Sequence, residues 1–315
     1  MNAMAALAPA PTIPTNPSFS GHETFAFRYA WLKKGVDGLS QQPNIFLRDE
    51  AMADLGVGKN MVRSIRHWCL ATRVVEEGEM LPNSRTRRLG LTDIGRALFL
   101  EPGWDPFLED DSSLWLLHWN LATNPDRATT WYWAFNLINE QEFTRDALIN
   151  ALERYAESVG SRTASSSIRA DVSCFLRTYV AIKRGPTSTL EETLDCPLTT
   201  LALLSQVGTE DRYRFNNGEK PGLSDAVFCY ALLDCWEQRH PGQETLSFRE
   251  IVHGEGSPGR VFRLDEDAVL AYLDGLADLT GGKLIFNDTA MVRQVARRDQ
   301  LAGKKILNDY YHSRY

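Results

Sequence analysis

The sequence predicts a mainly α-helical α+β protein, with an N-terminal winged helix followed by further helical, winged-helix-like subdomains that carry small β-hairpins. Two helical patterns joined by a glycine-containing turn occupy residues 48–71, and two short strand patterns follow at residues 74–91. A similar order of helices and short strands recurs later in the chain. A chain of 315 residues is also long for one hydrophobic core, so several packed subdomains are expected.

We expect four segments: a disordered tail at 1–17, a winged-helix DNA-binding domain at 18–125, and two further helical, winged-helix-like domains at 126–240 and 241–315. The tail is rich in Ala and Pro and lacks the basic start of a signal peptide. No stretch of about 18 apolar residues runs without a charge, as a membrane helix would require. The five cysteines lack CxxC spacing, which favours reduced thiols, a cytoplasmic location and no structural zinc.

The first helix is predicted to start in the segment Ser20–Glu23 and to end near Gly35 and Gly38. Ser20 can cap this helix, and Glu23 follows at the spacing of a capping box. His22 and Glu23 are candidate catalytic residues, because an imidazole and a carboxylate can act together as a base or as metal ligands. The alternative is that both residues only cap the helix and anchor its entry.

The most informative segment is a predicted helix-turn-helix. Arg48 to Leu55 forms a short helix, Gly56 to Gly58 the turn, and Lys59 to Ala71 a second helix with apolar residues on one face. The opposite face is predicted to carry the DNA-binding residues Lys59, Asn60, Arg63, Arg66 and His67. In helix-turn-helix proteins this second helix enters the major groove.

A hairpin is predicted next, from strands that begin at Val74 and at Arg85. It forms the wing and directs Arg85, Arg87 and Arg88 towards DNA phosphates. The chain has a net charge of −7, but residues 59–88 hold seven basic residues against three acids. Because local fields decide where a polyanion binds, this region favours DNA. The alternative is a protein-interaction or dimerisation module.

A helix from Ser165 to Val180 has a similar pattern. Its outer face is predicted to hold a less basic set of polar side chains: Ser166, Ser167, Arg169, Asp171 and Arg177. This face could contact either nucleic acid or another domain.

A second catalytic candidate is the acidic segment before the aromatic helix near residue 115. Asp105 and Glu109 are candidate catalytic residues and ligands for Mg²⁺ or Mn²⁺, because carboxylates hold hard cations in metal-dependent nucleases. The same acids can also cap the helix that follows. The dense aromatic residues at 115–135 are interpreted as core rather than as a platform for DNA bases.

Seven blocks together resemble one bacterial family that was first catalogued as a domain of unknown function. They are SGHETFAFRYAWLKKG at 20–35, LGVGKNMVRSIRHW at 55–68, GWDPFLEDDSSLWLLHW at 103–119, ATTWYW at 128–133, DVSCFLRTYV at 171–180, SPGRVFRLDE at 257–266 and NDYY at 308–311. The family includes the SspB-type DNA-nicking subunit of single-strand DNA phosphorothioation (Ssp) systems, which act in phage defence. The resemblance implies a metal-dependent DNA nickase, but it does not assign catalytic residues.

It also implies partners: double-stranded DNA, and the sulfur-transfer ATP pyrophosphatase, ATPase and cysteine desulfurase of the same system. A homodimer is a further assembly to test. The alternative function is a non-catalytic winged-helix adaptor or regulator that recruits sulfur-transfer enzymes to DNA. A third hypothesis is a winged-helix scaffold that does not contact DNA.

Overall fold

The computed structural model describes residues 16–80, 86–181, 196–208, 211–289 and 292–314. Within these ranges the chain forms helices joined to small antiparallel sheets, which confirms the predicted mainly helical α+β class. Among the helices of these ranges, none combines the length and apolarity needed to cross a lipid bilayer.

The N-terminal region consists of three helices, a hairpin and a closing helix. Its elements are α1 (Tyr29–Gln41), a 3-10 turn (Ile45–Leu47), α2 (Ala51–Leu55), α3 (Lys59–Ala71), β1 (Val75–Met80), β2 (Arg87–Leu91) and α4 (Asp93–Phe99). The bounds of α3 match the prediction to the residue, and β1 pairs antiparallel with β2. Thr92 caps α4, because its side chain accepts a hydrogen bond from Gly95 N–H at 2.9 Å.

The middle region begins with two buried helices and continues into a small sheet. Its elements are α5 (Asp111–Ala122), α6 (Thr129–Asn136), β3 (Glu142–Thr144), α7 (Arg145–Ser158), α8 (Ser165–Tyr179), a 3-10 turn (Pro197–Leu201), β4 (Leu204–Gln206) and β5 (Arg212–Phe215). The last region contains α9 (Asp225–Arg239), β6 (Thr245–Ser247), α10 (Phe248–His253), α11 (Pro258–Val261), α12 (Glu266–Asp274), α13 (Leu276–Thr280), β7 (Leu284–Thr289), β8 (Val292–Arg297) and α14 (Gly303–His312).

The two three-stranded sheets share one strand order. In each sheet the last strand in sequence lies between the other two, giving β3-β5-β4 and β6-β8-β7, and all neighbours are antiparallel. In each case one or more helices separate the first strand from the hairpin formed by the other two. The middle and last regions are therefore built on the same connectivity.

The core is continuous between the regions. Every residue of α5 after Asp111 is buried, which is expected for a central helix that is apolar on all sides. The aromatic residues predicted as core are buried or pack against the core, and they include Trp115, Trp119, Trp131, Trp133 and Phe135. The C-terminal helix returns to this centre, because Tyr311 stacks on Trp104 with ring centroids 5.0 Å apart.

Two predictions about the start of the chain were wrong. Helix α1 does not start at Ser20 and does not end at the glycines, because Gly35 and Gly38 lie inside it. A Cβ atom on Gly35 would lie 2.4 Å from Cys69 Sγ, so this glycine permits close packing of α1 on α3. The predicted tail also extends too far: residues 1–15 lie outside the described ranges, but Pro17 is buried.

Candidate nucleic-acid interface

Helix α3 carries a basic stripe, defined here as Lys59, Arg63 and Arg66. The residues are spaced four and three positions apart, so they share one side of the helix. Lys59 and the adjacent Asn60 are exposed, and the Arg63 side chain is 57% exposed. The inner side of the helix is buried through Val62, Ile65, Trp68 and Cys69. The same helix therefore anchors the N-terminal core and presents cations to solvent.

A carboxylate on the hairpin binds the end of this stripe. Glu77 on β1 accepts from Arg66 Nη2 at 3.1 Å and from Arg127 Nη2 at 2.6 Å, one guanidinium at each carboxylate oxygen. Arg87 Nε on β2 lies 4.0 Å from the oxygen that Arg127 contacts. We call Arg66, Arg87 and Arg127 the arginine cluster. Within this group of contacts, three guanidinium groups surround one carboxylate.

The roles of Glu77 and Arg127 are not visible in the sequence. Glu77 lies on β1, and Arg127 lies in the connection between α5 and α6. Arg127 belongs to no periodic pattern, so only the tertiary structure brings it to the hairpin. Only a prediction that the first strand continues through residue 77 would have placed Glu77 on the hairpin.

The remaining predicted wing residues lie on the hairpin or outside the described ranges. Arg87 and Arg88 are exposed on β2, as expected for side chains that meet phosphates. Arg85 lies outside the described residues.

His67 was predicted on the exposed face of α3, but its side chain is partly buried. Its Nε2 atom is buried and has no hydrogen-bond partner among the described residues, and its ring lies 5.8 Å from that of His22. Burial, together with the neighbouring His22, lowers the pKa of His67 to about 3. His67 is therefore neutral near pH 7 and provides no charge for a phosphate.

His22 and Glu23 do not cap a helix, so that interpretation was wrong. They lie in a turn where Ser20, Glu23 and Thr24 have positive φ values of 61°, 50° and 67°, well before α1 begins. The His22 ring is completely buried. Its Nδ1 accepts from Thr24 N–H at 3.0 Å, which leaves Nε2–H to donate to Asp171 Oδ1 at 2.8 Å. Both ring nitrogens of His22 are thus engaged inside the protein.

The acceptor, Asp171, was predicted on the outer face of its helix, and this prediction was also wrong. Asp171 is 2% exposed on α8 and also accepts from Ser20 N–H at 2.8 Å. Its other carboxylate oxygen is buried without a hydrogen-bond partner among the described residues. The helical period alone placed Asp171 outside, because the sequence does not show that the segment at 20–25 covers this side of α8.

The segment at 20–25 also contacts α3. Ser64 Oγ donates to the His22 carbonyl at 2.9 Å, Trp68 Nε1 donates to the Phe25 carbonyl at 3.0 Å, and Glu23 lies 3.7 Å from Arg63. The segment is therefore held between α3 and α8. We call the contact of His22 with Asp171 the buried joint, because it connects the N-terminal and middle regions.

The acidic candidates have a different environment. Asp105 is 4% exposed, and its carboxylate accepts from Glu109 N–H at 2.9 Å, from Asp110 N–H at 3.0 Å and from Ser113 Oγ at 2.6 Å. The Ser113 hydroxyl also contacts the Tyr311 hydroxyl at 2.9 Å. Asp105 thus organises the turn before α5 and links it to α14.

Asp105 and Glu109 do not fit a magnesium site. The oxygens of Asp105 already accept three hydrogen bonds in a buried turn, whereas the Glu109 side chain is exposed. A hard cation needs several oxygen ligands that converge. In the described ranges, no group of three or more His, Cys, Asp or Glu residues is arranged to hold a metal ion.

The comparisons with known proteins identify the family. The family model described as "Protein of unknown function (DUF4007)" matches residues 19–311. The chain is 32% identical to SspB in a magnesium ion-bound crystal structure, with a TM-score of 0.84 over 94% of this chain and 88% of that one. A second SspB crystal structure also gives 32% identity and a TM-score of 0.84, over 95% and 90% of the two chains. No curated protein gives a significant match.

The family match extends from the segment beside α3 to the C-terminal helix, so it includes both the basic stripe and the buried joint. The fold likeness to SspB has the same extent. The chain therefore belongs to the DUF4007 family and is of SspB type.

Proposed function

We propose that this protein is the SspB-type subunit of a bacterial DNA phosphorothioation defence system, and that it binds and nicks double-stranded DNA. The basic stripe beside the β1–β2 hairpin is the observation that carries DNA binding. Its residues Lys59 and Arg63 are exposed, in a chain whose overall charge is −7. Membership of the DUF4007 family and the likeness to SspB support the assignment to the system.

The proposed binding mode is that of a winged helix. The order α2, turn, α3 and hairpin is compatible with this fold, with α3 in the major groove. Lys59, Asn60 and Arg63 would then face the groove, and Arg87 and Arg88 would contact phosphates.

The proposed nicking activity rests on the family resemblance. We propose that it needs Mg²⁺ or Mn²⁺, and a magnesium-bound crystal structure of the related SspB supports this. We assign no ligands, because Asp105 and Glu109 do not fit the metal and His22 is committed to Asp171.

The engagement of His22 and Asp105 in structural contacts favours a second function. In this alternative the protein is a non-catalytic adaptor that brings the ATP pyrophosphatase, ATPase and cysteine desulfurase of the system to DNA. Both functions use the same basic stripe and differ only in whether the protein itself breaks a strand.

A supercoiled plasmid separates the two functions. Conversion to the open circle with Mg²⁺ or Mn²⁺, abolished by a chelator, is expected for the nickase. DNA that is bound but stays supercoiled supports the adaptor. If duplex DNA is not bound even at low salt, where phosphate contacts are strongest, both functions are contradicted and the scaffold hypothesis gains support.

A further inference from the structure

We propose that the Glu77 carboxylate occupies the place of a DNA backbone phosphate in the arginine cluster and thereby weakens DNA binding until it is displaced. This inference rests on the proposed DNA-binding function. It assigns a phosphate site to Arg66, Arg87 and Arg127 and makes Glu77 an internal competitor for that site.

The geometry of the ion pairs is that of anion recognition. Arg66 contacts one oxygen of Glu77 at 3.1 Å, and Arg127 contacts the other at 2.6 Å. Guanidinium groups bind carboxylates and phosphates in the same way, through N–H donors directed at two oxygens of the anion. A phosphate group at this position would therefore meet donors that are already oriented.

The cluster is accessible from solvent. The side chains of Arg66, Arg87 and Arg127 are 31%, 48% and 36% exposed, while Glu77 is 22% exposed. An incoming anion can therefore approach the arginine side chains from solvent. A fully buried ion pair would exclude such an approach.

The site continues the basic stripe of α3. Arg66 belongs to the stripe, and Arg127 extends it to the connection before α6. A phosphate at this site would therefore be bound by Arg66 and Arg87 of the N-terminal region and by Arg127 of the middle region. The strand supports this placement, because its pairing register shifts between Glu77 and Met80, and such irregularities redirect side chains.

The charge balance explains why displacement would be favourable. Glu77 compensates one of three positive charges, so the cluster remains able to attract a second anion. Ion pairs that are partly exposed to solvent contribute less to stability than buried ones, because water screens the charges. The cost of separating Glu77 from the arginines is therefore small compared with the gain from a DNA phosphate.

The test compares Glu77→Gln with the wild-type protein on a short mixed-sequence DNA duplex, using fluorescence anisotropy over a range of salt concentrations. Glu77→Gln is expected to bind about five- to tenfold more tightly at about 0.1 M salt, with a steeper salt dependence. The matched control is Glu79→Gln, which removes the same charge two residues along β1 and is expected to stay within about twofold of wild type. In the Glu77→Gln background, Arg127→Gln should reverse the gain.

The outcomes separate the inference from the proposed function. If wild type binds DNA and Glu77→Gln binds no more tightly, the inference is overturned while DNA binding stands. If neither protein binds at low salt, both are overturned. An equal gain in Glu79→Gln also overturns the inference, because general charge would then explain the effect. Should Glu77→Gln fail to fold, Arg127→Gln alone decides: it must weaken binding severalfold, and unchanged affinity contradicts the phosphate site.

Discussion

Helices α3 and α8 have similar sequence patterns but different surroundings. Each has an apolar inner stripe and was predicted to have a polar outer face that could contact nucleic acid. On α3 the polar face is exposed at Lys59 and Arg63. On α8, Asp171 is buried under the segment at 20–25, and Arg177 Nη2 donates to the carbonyl of Thr24.

The difference shows that amphipathic patterning identifies a helix but not the use of its polar face. The chain covers part of α8 with its own N-terminal segment and leaves Lys59, Asn60 and Arg63 of α3 in solvent. That one segment contacts both helices, so the packing that covers α8 also positions α3.

The largest effect is expected from charge reversal on α3. The double variant Arg63→Glu, Arg66→Glu should weaken duplex DNA binding by about a hundredfold or more at about 0.1 M salt, because two cations on the proposed DNA-binding surface become anions that the DNA repels. Titration of a labelled duplex measures this. Arg169→Glu on α8 is the matched control, because Arg169 is also exposed. This variant should change DNA affinity by less than about threefold. Equal losses in both variants would show that the two helices do not differ in this way.

The second prediction concerns the buried joint. Asp171→Asn should lower the free energy of unfolding by about 2–3 kcal/mol, because it removes the charged acceptor of His22 and of Ser20 N–H. Urea denaturation measures the loss. Arg169→Gln should change stability by less than about 0.5 kcal/mol. A variant Asp171→Asn with wild-type stability would mean that the covered face of α8 contributes nothing to the fold.

The third prediction uses pH to probe the inner side of α8. Tyr179 donates to Nδ1 of the buried His118, whose pKa burial lowers to about 3. The unfolded histidine takes up a proton below about pH 6.5, whereas the folded one stays neutral, so stability is present above this pH and is lost as the pH falls. Between pH 6 and pH 5 this group should cost about 1 kcal/mol.

The check is urea denaturation of the wild-type protein and His118→Gln at both pH values. The variant is expected to be less stable at each pH but to lose less stability between them. An unchanged pH dependence would show that His118 is not held neutral in the folded protein.

The smallest effect is expected at Arg177. Arg177→Gln removes the guanidinium that donates to the Thr24 carbonyl, and it should lower stability by about 1 kcal/mol while leaving DNA affinity unchanged. Thermal unfolding and the duplex titration measure the two quantities. If affinity fell as much as it does in the charge reversal on α3, the outer side of α8 would have to be part of the DNA surface.

Local features were predictable from the sequence, and long-range contacts were not. The bounds of α3 follow from apolar periodicity along the sequence and from the glycine-containing turn that precedes the helix. Glycine often ends helices, which predicts a helix end near Gly35 and Gly38, but tight packing against Cys69 and Ile45 explains their place within α1.

In the candidate site, too, local features were predictable and long-range contacts were not. Spacing alone gave the basic stripe, since residues three and four apart share a helix face. The pairs His22–Asp171 and Glu77–Arg127 join distant parts of the chain, and no local pattern reports such a contact. The sequence identified which side chains carry charge, whereas tertiary packing determined which of those charges remain free for a partner.

The most direct test of DNA contact by α3 is site-specific photo-crosslinking. A photoreactive amino acid placed at Asn60, which is exposed on α3, is compared with one at Ser166, which is exposed on α8. With bound duplex DNA, crosslinks are expected at Asn60 and are not expected at Ser166. Crosslinking at Ser166 without any at Asn60, with the duplex fully bound, would contradict the assignment of α3 as the DNA-contacting helix.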